Sequence, residues 1–360
     1  MTPAGGRRRL VTDLGVFVLA AVLGGIPALG LLAREDGDVT ALLVVGEAAI
    51  SREFVERDFP DPVLAPGYGH DGQQFYVMAR TFPHFQAADG HVDRLQYRAR
   101  RVVLPLLVAA APAGAPTVWA MLVVNLAAIG MAGVALGRLA ARLGASPLVG
   151  VVAGVTPALL FSARASLADA PAFALAAWGV VVWRRHPWWA AVLFTAAALA
   201  REQALIVPAA CLVTALFGRV RARPPVAALA APFAAYAAWA AAVGIWLHPS
   251  AERQAGGPLA EAQRLLDVPF RPWLEIGGGQ VMIGVAMTVL AAAAAYVLRR
   301  DLPEAAWWLA GEALLVVTSS PAISGNTSNY LRVAPLVIPA AALSAALRSR
   351  RRRAAAAAPA

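Results

Sequence analysis

Lysine is absent from this 360-residue chain: all 31 of its Lys+Arg positions are arginine, set against 21 Asp+Glu. A phosphate-binding loop that ends in Gly-Lys is therefore excluded, and no G-x-S-x-G elbow followed by a triad occurs either. Cys211 is the single cysteine, which rules out an intrachain disulfide and any metal site built on thiolates. Charge is scarce, at 14% of residues, where a soluble domain carries about 25%. No internal repeat at solenoid periods is visible. What remains is apolar: 59% of the residues are hydrophobic and the mean hydropathy is +0.63. That combination belongs to an all-α, polytopic membrane protein. A net charge of +10 could suit nucleic acid. The arginines instead bracket apolar runs, so the expectation is a membrane protein with no nucleic-acid partner.

A bilayer core takes about 20 apolar residues per helix. Leu10–Ala33 meets that length behind Arg7, Arg8 and Arg9, which place its start on the inner side. Residues 34–101 form a long outer loop. Val102–Pro112 is too short to span and reads as a helix against the outer leaflet, within a juxtamembrane segment of residues 102–115. Further spans follow at Pro116–Ala140, Pro147–Ser162, Ala170–Trp183, Val226–Leu247, Ile276–Leu298, Glu304–Ser319 and Tyr330–Leu347. In Pro187–Phe217, Arg201 and Glu202 sit mid-run. A central charge in lipid costs about 2.5–3.5 kcal/mol, so two short helices meeting at an outer turn are expected there. The sum is about ten spans in one transmembrane domain, residues 1–353, with a disordered tail at 354–360. Asp13, Asp301 and Glu304 are the acids left on the inner side. The expected location is a bacterial cytoplasmic membrane, multi-pass, both termini cytoplasmic.

The polar residues gather between Gly67 and Pro105. Asp71, followed by Gly72, opens a helical pattern that suggests a short surface helix. A partly desolvated carboxylate there can act as a general base or, alternatively, cap that helix. Arg98, Arg100 and Arg101 precede an apolar segment, and their forks suit the phosphate of a lipid headgroup or an interfacial anchor. Arg332 could reach the same phosphate or anchor the last span. Arg201 with Glu202, and Arg164 with Asp169, read as ion pairs at outer helix ends. Glu312 falls within a span and could face the interior. His70, His84 and His91 with Asp89 and Asp93 lack the spacing of a zinc or calcium motif and read as a solvated loop. Asn326–Thr327–Ser328 matches a glycosylation sequon. Tyr68, Phe75, Tyr76, Phe82 and Phe85 could form a wall that stacks on sugar rings.

The run His70-Asp71-Gly72-Gln73-Gln74-Phe75-Tyr76, the run Tyr97-Arg98-Ala99-Arg100-Arg101-Val102-Val103-Leu104-Pro105 and the upstream Thr40–Glu47 together resemble the GT-C superfamily of membrane glycosyltransferases. The similarity is sharpest to bacterial members that read Y-D-G-Q-x-[FY]-Y and Y-R-x-x-R-[IV]-L-x-P. It covers residues 40 to 105 and is topological elsewhere. The resemblance implies that Asp71 is the catalytic base. It implies that Arg98, Arg101, Gln73, Tyr76 and Arg332 bind the substrates: a polyprenyl-phosphate sugar donor and a glycan or glycolipid acceptor of the cell envelope, beside membrane lipids. It implies no cofactor, with metal dependence left open. Two positions depart from the pattern: Gly72 stands where the superfamily often has a second acid, and His70 replaces an aromatic. A transporter or flippase of lipid-linked sugars, or a non-catalytic envelope scaffold, is the alternative.

Overall fold

The computed structural model describes residues 3–217, 225–248, 278–318, 332 and 334–356. The arginines Arg219, Arg221 and Arg223, most of the outer loop expected after Leu247, the loop Ser320–Asn329 with its sequon, and the last four residues lie outside the described residues. The chain is helical, with one two-stranded ribbon.

Helix α1 (Pro3–Arg34) and helix α6 (Ala115–Arg142) pack side by side as the two longest elements. Between them in sequence, the chain folds through α2 (Arg52–Asp58), α3 (Asp71–Thr81), α4 (Leu95–Arg100) and α5 (Val103–Val108). A parallel pair of two-residue strands, Val45–Gly46 with Leu64–Ala65, ties its first half together. Then come α7 (Pro157–Arg164), α8 (Asp169–Val182), α9 (Pro187–Ala200), α10 (Ile206–Phe217), α11 (Val226–Trp246), α12 (Gly278–Leu298), α13 (Pro303–Thr318) and α14 (Val337–Ala356). Among the described residues, three helices are long and apolar enough to cross a membrane: Arg9–Arg34, Ala115–Arg142 and Val226–Trp246.

Several expectations meet a different structure. Pro147–Ser162 is no single helix: a 3-10 segment, Pro147–Val155, meets α7 at a 52° bend. Pro157 supplies no N–H to continue the first segment and suits the first turn of the second. Helix α3 is no surface helix, because every residue from Gly72 to Ala79 is buried. Its start carries Asp71, the acid expected to be partly desolvated. In the fold that start meets arginines, and the helix flanks rest on α5, α2 and α4. Helix α14 runs on through Arg348–Arg353 to Ala356, three residues into the segment expected to be disordered. The run of basic residues and alanines there is compatible with helix.

The expected break in Pro187–Phe217 is present. The chain breaks between α9 and α10, where Arg201 takes an extended conformation (φ −158°, ψ 121°) and a 3-10 turn, Glu202–Leu205, follows. Helix α5 buries Leu104, Pro105 and Val108 and turns Leu106 and Leu107 outward.

A second, smaller apolar cluster bolts the segment between α1 and α6 to α11. Val77, Met78, Phe85 and Leu95 pack with Val243 of α11 and with Leu247, which caps its end. Around it, Gln86 donates to the His248 carbonyl and accepts from the His248 N–H, both at 3.0 Å. Gln96 donates to the Leu247 carbonyl at 2.9 Å. Trp239 Nε1 donates to the Ala99 carbonyl at 3.2 Å. Helix α4 is thereby held against α11 at one end of the bundle.

Candidate functional site

Asp71 is the first residue of α3, and its carboxylate does not cap the helix. His70 holds the cap position without a side-chain hydrogen bond. The carboxylate turns instead to three guanidinium groups. Arg98 Nη1 lies 3.0 Å from Oδ1, Arg332 Nη2 lies 3.1 Å from Oδ2, and Arg101 Nη1 lies 3.7 Å from Oδ2. Each arginine also holds an acid of its own. Arg98 grips Asp93 with two bonds of 2.7 Å. Arg101 grips Glu202 at 2.9 and 2.5 Å. Arg332 Nε reaches Asp169 at 3.3 Å, and Asp169 also meets Arg201. Four guanidinium groups thus alternate with four carboxylates, and Asp71 is the acid shared among three of them. The Asp71 side chain keeps 22% of its surface exposed, against 6–7% for Arg98, Arg101 and Arg332. The acid, more than its partners, is therefore open to a ligand.

That opening is a cavity of about 670 Å³. Its lining brings together Tyr68, His70 and Asp71 from the start of α3, Asp93, Tyr97, Arg98 and Arg101 from in and around α4, and Arg201, Gln203 and Arg332 from the later part of the chain. Tyr97 braces the arginines: its ring centroid is 4.3 Å from the Arg101 guanidinium and 4.7 Å from that of Arg94. Its hydroxyl donates to Glu202 at 3.3 Å.

Burial alone would push the Asp71 carboxyl up, but Arg98, Arg332 and Arg101 outweigh it and hold the group well below the usual carboxylate range. Burial and then Arg332 push His70 down, against the opposing pull of Asp71, so its ring is neutral near pH 7. Asp93 is also held low: its burial is overcome by the hydrogen bonds and charge of Arg98.

Local packing explains Gly72. A Cβ at this position would stand 2.3 Å from the Ala165 carbonyl oxygen and 2.9 Å from that of Leu43. The start of α3 sits directly on the turn between α7 and α8, and no larger residue fits. That turn is itself built by a buried network. Ser162 Oγ donates to Asn125 Oδ1 at 2.7 Å and accepts from the Ala170 N–H at 2.9 Å. One turn thereby seats both Asp71, through Gly72, and Asp169. The residues Gly67 to Gly72 also spell G-x-G-x-x-G between a strand and a helix. With an acid at the helix start facing arginines, they make no anion cradle of the kind that pattern serves elsewhere.

Asp71, Arg98, Arg101 and Arg332 therefore come together as expected, across 261 positions of sequence. Tyr76 does not join them. It is fully buried, its hydroxyl donates to Asp58 at 2.5 Å and accepts from the Gly114 N–H at 2.9 Å, and it stands outside the cavity. Facing inward from α3 like Phe75, it serves as a tie between the end of α2 and the start of α6. Gln73 touches the cavity, but both ends of its amide are committed. Oε1 accepts from the Gly46 N–H at 3.2 Å and Nε2 donates to the Tyr68 carbonyl at 2.7 Å. The aromatic wall reduces to Tyr68, because Phe75 and Phe85 are buried and Phe82 packs on Phe85.

The expected ion pairs exchange partners: Glu202 goes to Arg101 and Asp169 to Arg201 and Arg332. Sequence reading overlooked Asp93, Arg201 and Gln203 as site residues. The signal was there for Arg201, a cation in the middle of an apolar run. The histidine and aspartate cluster disperses: His70 lines the cavity while His91 stacks near Phe54 at 5.3 Å, beside Arg57. Glu312 is buried in α13 and accepts the Leu336 N–H at 3.2 and 3.1 Å. Compared with family models, curated proteins and solved structures, the chain matches none of them.

Proposed function

We propose that this chain is a membrane glycosyltransferase that moves a sugar from a polyprenyl-phosphate donor to a glycan or glycolipid acceptor of the cell envelope. Its setting would be a bacterial cytoplasmic membrane, crossed about ten times with both termini inside and the cavity at the outer face. The observation that carries the reading is the shared carboxylate of Asp71 among Arg98, Arg101 and Arg332, opening on a cavity at the helix ends. A phosphodiester donor carries one negative charge, and its leaving group gains another as the sugar departs. Arginine forks in a dry site stabilise that charge.

In the transfer step the acceptor oxygen bonds to the anomeric carbon. The anomeric carbon–oxygen bond to the phosphate breaks, and its electron pair stays on the lipid phosphate. The acceptor proton passes to Asp71. In the empty site Asp71 is a weak base, because three cations hold its carboxylate ionised. A phosphate that engages those cations removes their hold, so the donor itself raises the basicity of Asp71. A scaffold would need no such opening, and the cavity favours transfer over that reading.

The test is transfer by the purified protein from radiolabelled polyprenyl-phosphate sugars to a membrane glycolipid extract. Asp71→Asn should lower turnover by a factor of about 10² to 10⁴ and leave polyprenyl-phosphate binding intact or tighter. Equal turnover in both proteins would remove Asp71 from the chemistry. Failure to bind any polyprenyl phosphate would remove the transferase reading.

A further inference from the structure

The most exposed aromatic at the cavity is Tyr68, with 81% of its surface free. A large exposed ring is ordinary on a loose loop, but this loop is not loose. On one side the Gly67 carbonyl accepts the Ala48 N–H at 2.9 Å. On the other, Gly69 bridges to Val45, and the His70 N–H donates to the Val44 carbonyl at 3.1 Å. The Tyr68 carbonyl itself is held by Gln73 at 2.7 Å. Gly69 takes a left-handed φ of 65° and packs so closely that a Cβ would stand 2.2 Å from the Val44 carbonyl oxygen. The backbone is therefore fixed on both sides while the ring projects into the mouth. Binding on such a ring orders only its side-chain torsions, which keeps the entropic cost low.

We propose that Tyr68 is the stacking platform for the acceptor, and that the acceptor presents a hexopyranose ring to it. The proposal rests on the transferase reading. A pyranose has one face of C–H groups, which an aromatic face removes from water, and an edge of hydroxyls that needs partners. Ile50, 37% exposed, lines the same mouth and extends the apolar patch. Gln74 lines the cavity too. Its Oε1 accepts the Asp93 N–H at 3.3 Å, and its NH₂ has no partner among the described residues. The neutral His70 ring offers one donor and one acceptor. The assignment to acceptor rather than donor follows from chain order. Tyr68 and the base Asp71 stand on one short turn, whereas the guanidinium groups suited to the donor phosphate come from other elements. The hydroxyl that gives its proton to Asp71 belongs to the ring beside Tyr68.

The experiment uses the purified full chain in lipid nanodiscs. Methyl hexopyranosides of the gluco, manno and galacto series are the probes, read by saturation-transfer difference NMR, with decaprenyl phosphate binding measured in parallel. The wild type and Tyr68→Phe should saturate the C–H face of at least one hexopyranoside. Tyr68→Ala should bind it about fivefold more weakly, with decaprenyl phosphate binding unchanged in all three. Equal sugar binding in Tyr68→Ala, or no hexopyranoside binding by a wild type that binds decaprenyl phosphate, overturns the platform and spares the transferase reading. Loss of decaprenyl phosphate binding in Tyr68→Ala also overturns it, because the ring would then be structural. A wild type that binds no decaprenyl phosphate overturns both.

Discussion

Gly72 shows how a single position can carry both fold and chemistry. Its neighbours leave no room for a Cβ, so a second acid beside Asp71 could not enter this fold. Gly72→Ala must shift α3 or the turn at Ala165, and overpacking of this kind costs about 1–3 kcal/mol. The thermal midpoint of the purified protein should fall accordingly, and donor binding should weaken because Asp71 moves with α3. A Gly72→Ala protein as stable as the wild type would show that the turn yields freely. His70 makes a prediction about pH. Its folded value lies below the ordinary 6.5 through burial first and Arg332 second, while Asp71 opposes and Arg164 adds to the lowering. Folding therefore favours the neutral ring. That contribution is complete above pH 6.5 and is lost as pH falls through the lowered value. The midpoint should drop as pH falls below about 6.5, and His70→Phe should flatten that drop. Asp71, held lower still, keeps its ion pairs through that range and loses them only in stronger acid.

Among elements, the break between α9 and α10 was readable because a charged pair in an apolar run has few places to go. The C-terminal end of α1 and both ends of α6 were readable to within two residues from run length and flanking arginines, whereas α1 begins seven residues before the apolar run does. Other features were not, because they depend on what meets what. Pro157 can begin a helix or end one, and only packing against α6 chooses. Tyr76 and Tyr68 are the same residue type eight positions apart, yet one faces the core and the other faces out. That difference follows from the burial of α3, which its polar start concealed. The partners of Glu202 and Asp169 lie in distant segments, so proximity in sequence paired them wrongly. The turn between α7 and α8 is the element on which these contacts converge, and Ser162 is its centre. Ser162→Ala leaves the buried Asn125 oxygen and the Ala170 N–H without that partner, at a cost of about 1–3 kcal/mol. Calorimetry should show a lowered midpoint, and transfer should slow because Asp169 no longer sets Arg332. An unchanged midpoint would mean that water replaces the hydroxyl.

For the whole molecule, the proposed orientation puts the cavity and the basic end of α14 on opposite sides of the bilayer. In a Cys211→Ser background, Glu53→Cys on α2 should react with an impermeant maleimide added outside intact cells. Ser349→Cys on α14 should react only after the membrane is opened. The reverse pattern would invert the topology and take the cavity away from an envelope acceptor.

Helix length sets one more property. Helices α8 and α9 have 14 residues each and α10 has 12, so they rise only about 18–21 Å, against a hydrocarbon core of about 30 Å. Asp169, Arg201 and Glu202 cluster where these three helices end on the cavity side. If their other ends reach the inner interface, the floor of the cavity lies about 10 Å below the outer one. On the transferase reading, a lipid phosphate bound there is drawn beneath the plane of its neighbours, and the bilayer thins or water descends to meet it. An acceptor must then lower a slender end into this shaft. Reach becomes a criterion of selection: a sugar at the tip of a flexible glycan can enter, and one crowded by branches is turned away whatever its stereochemistry.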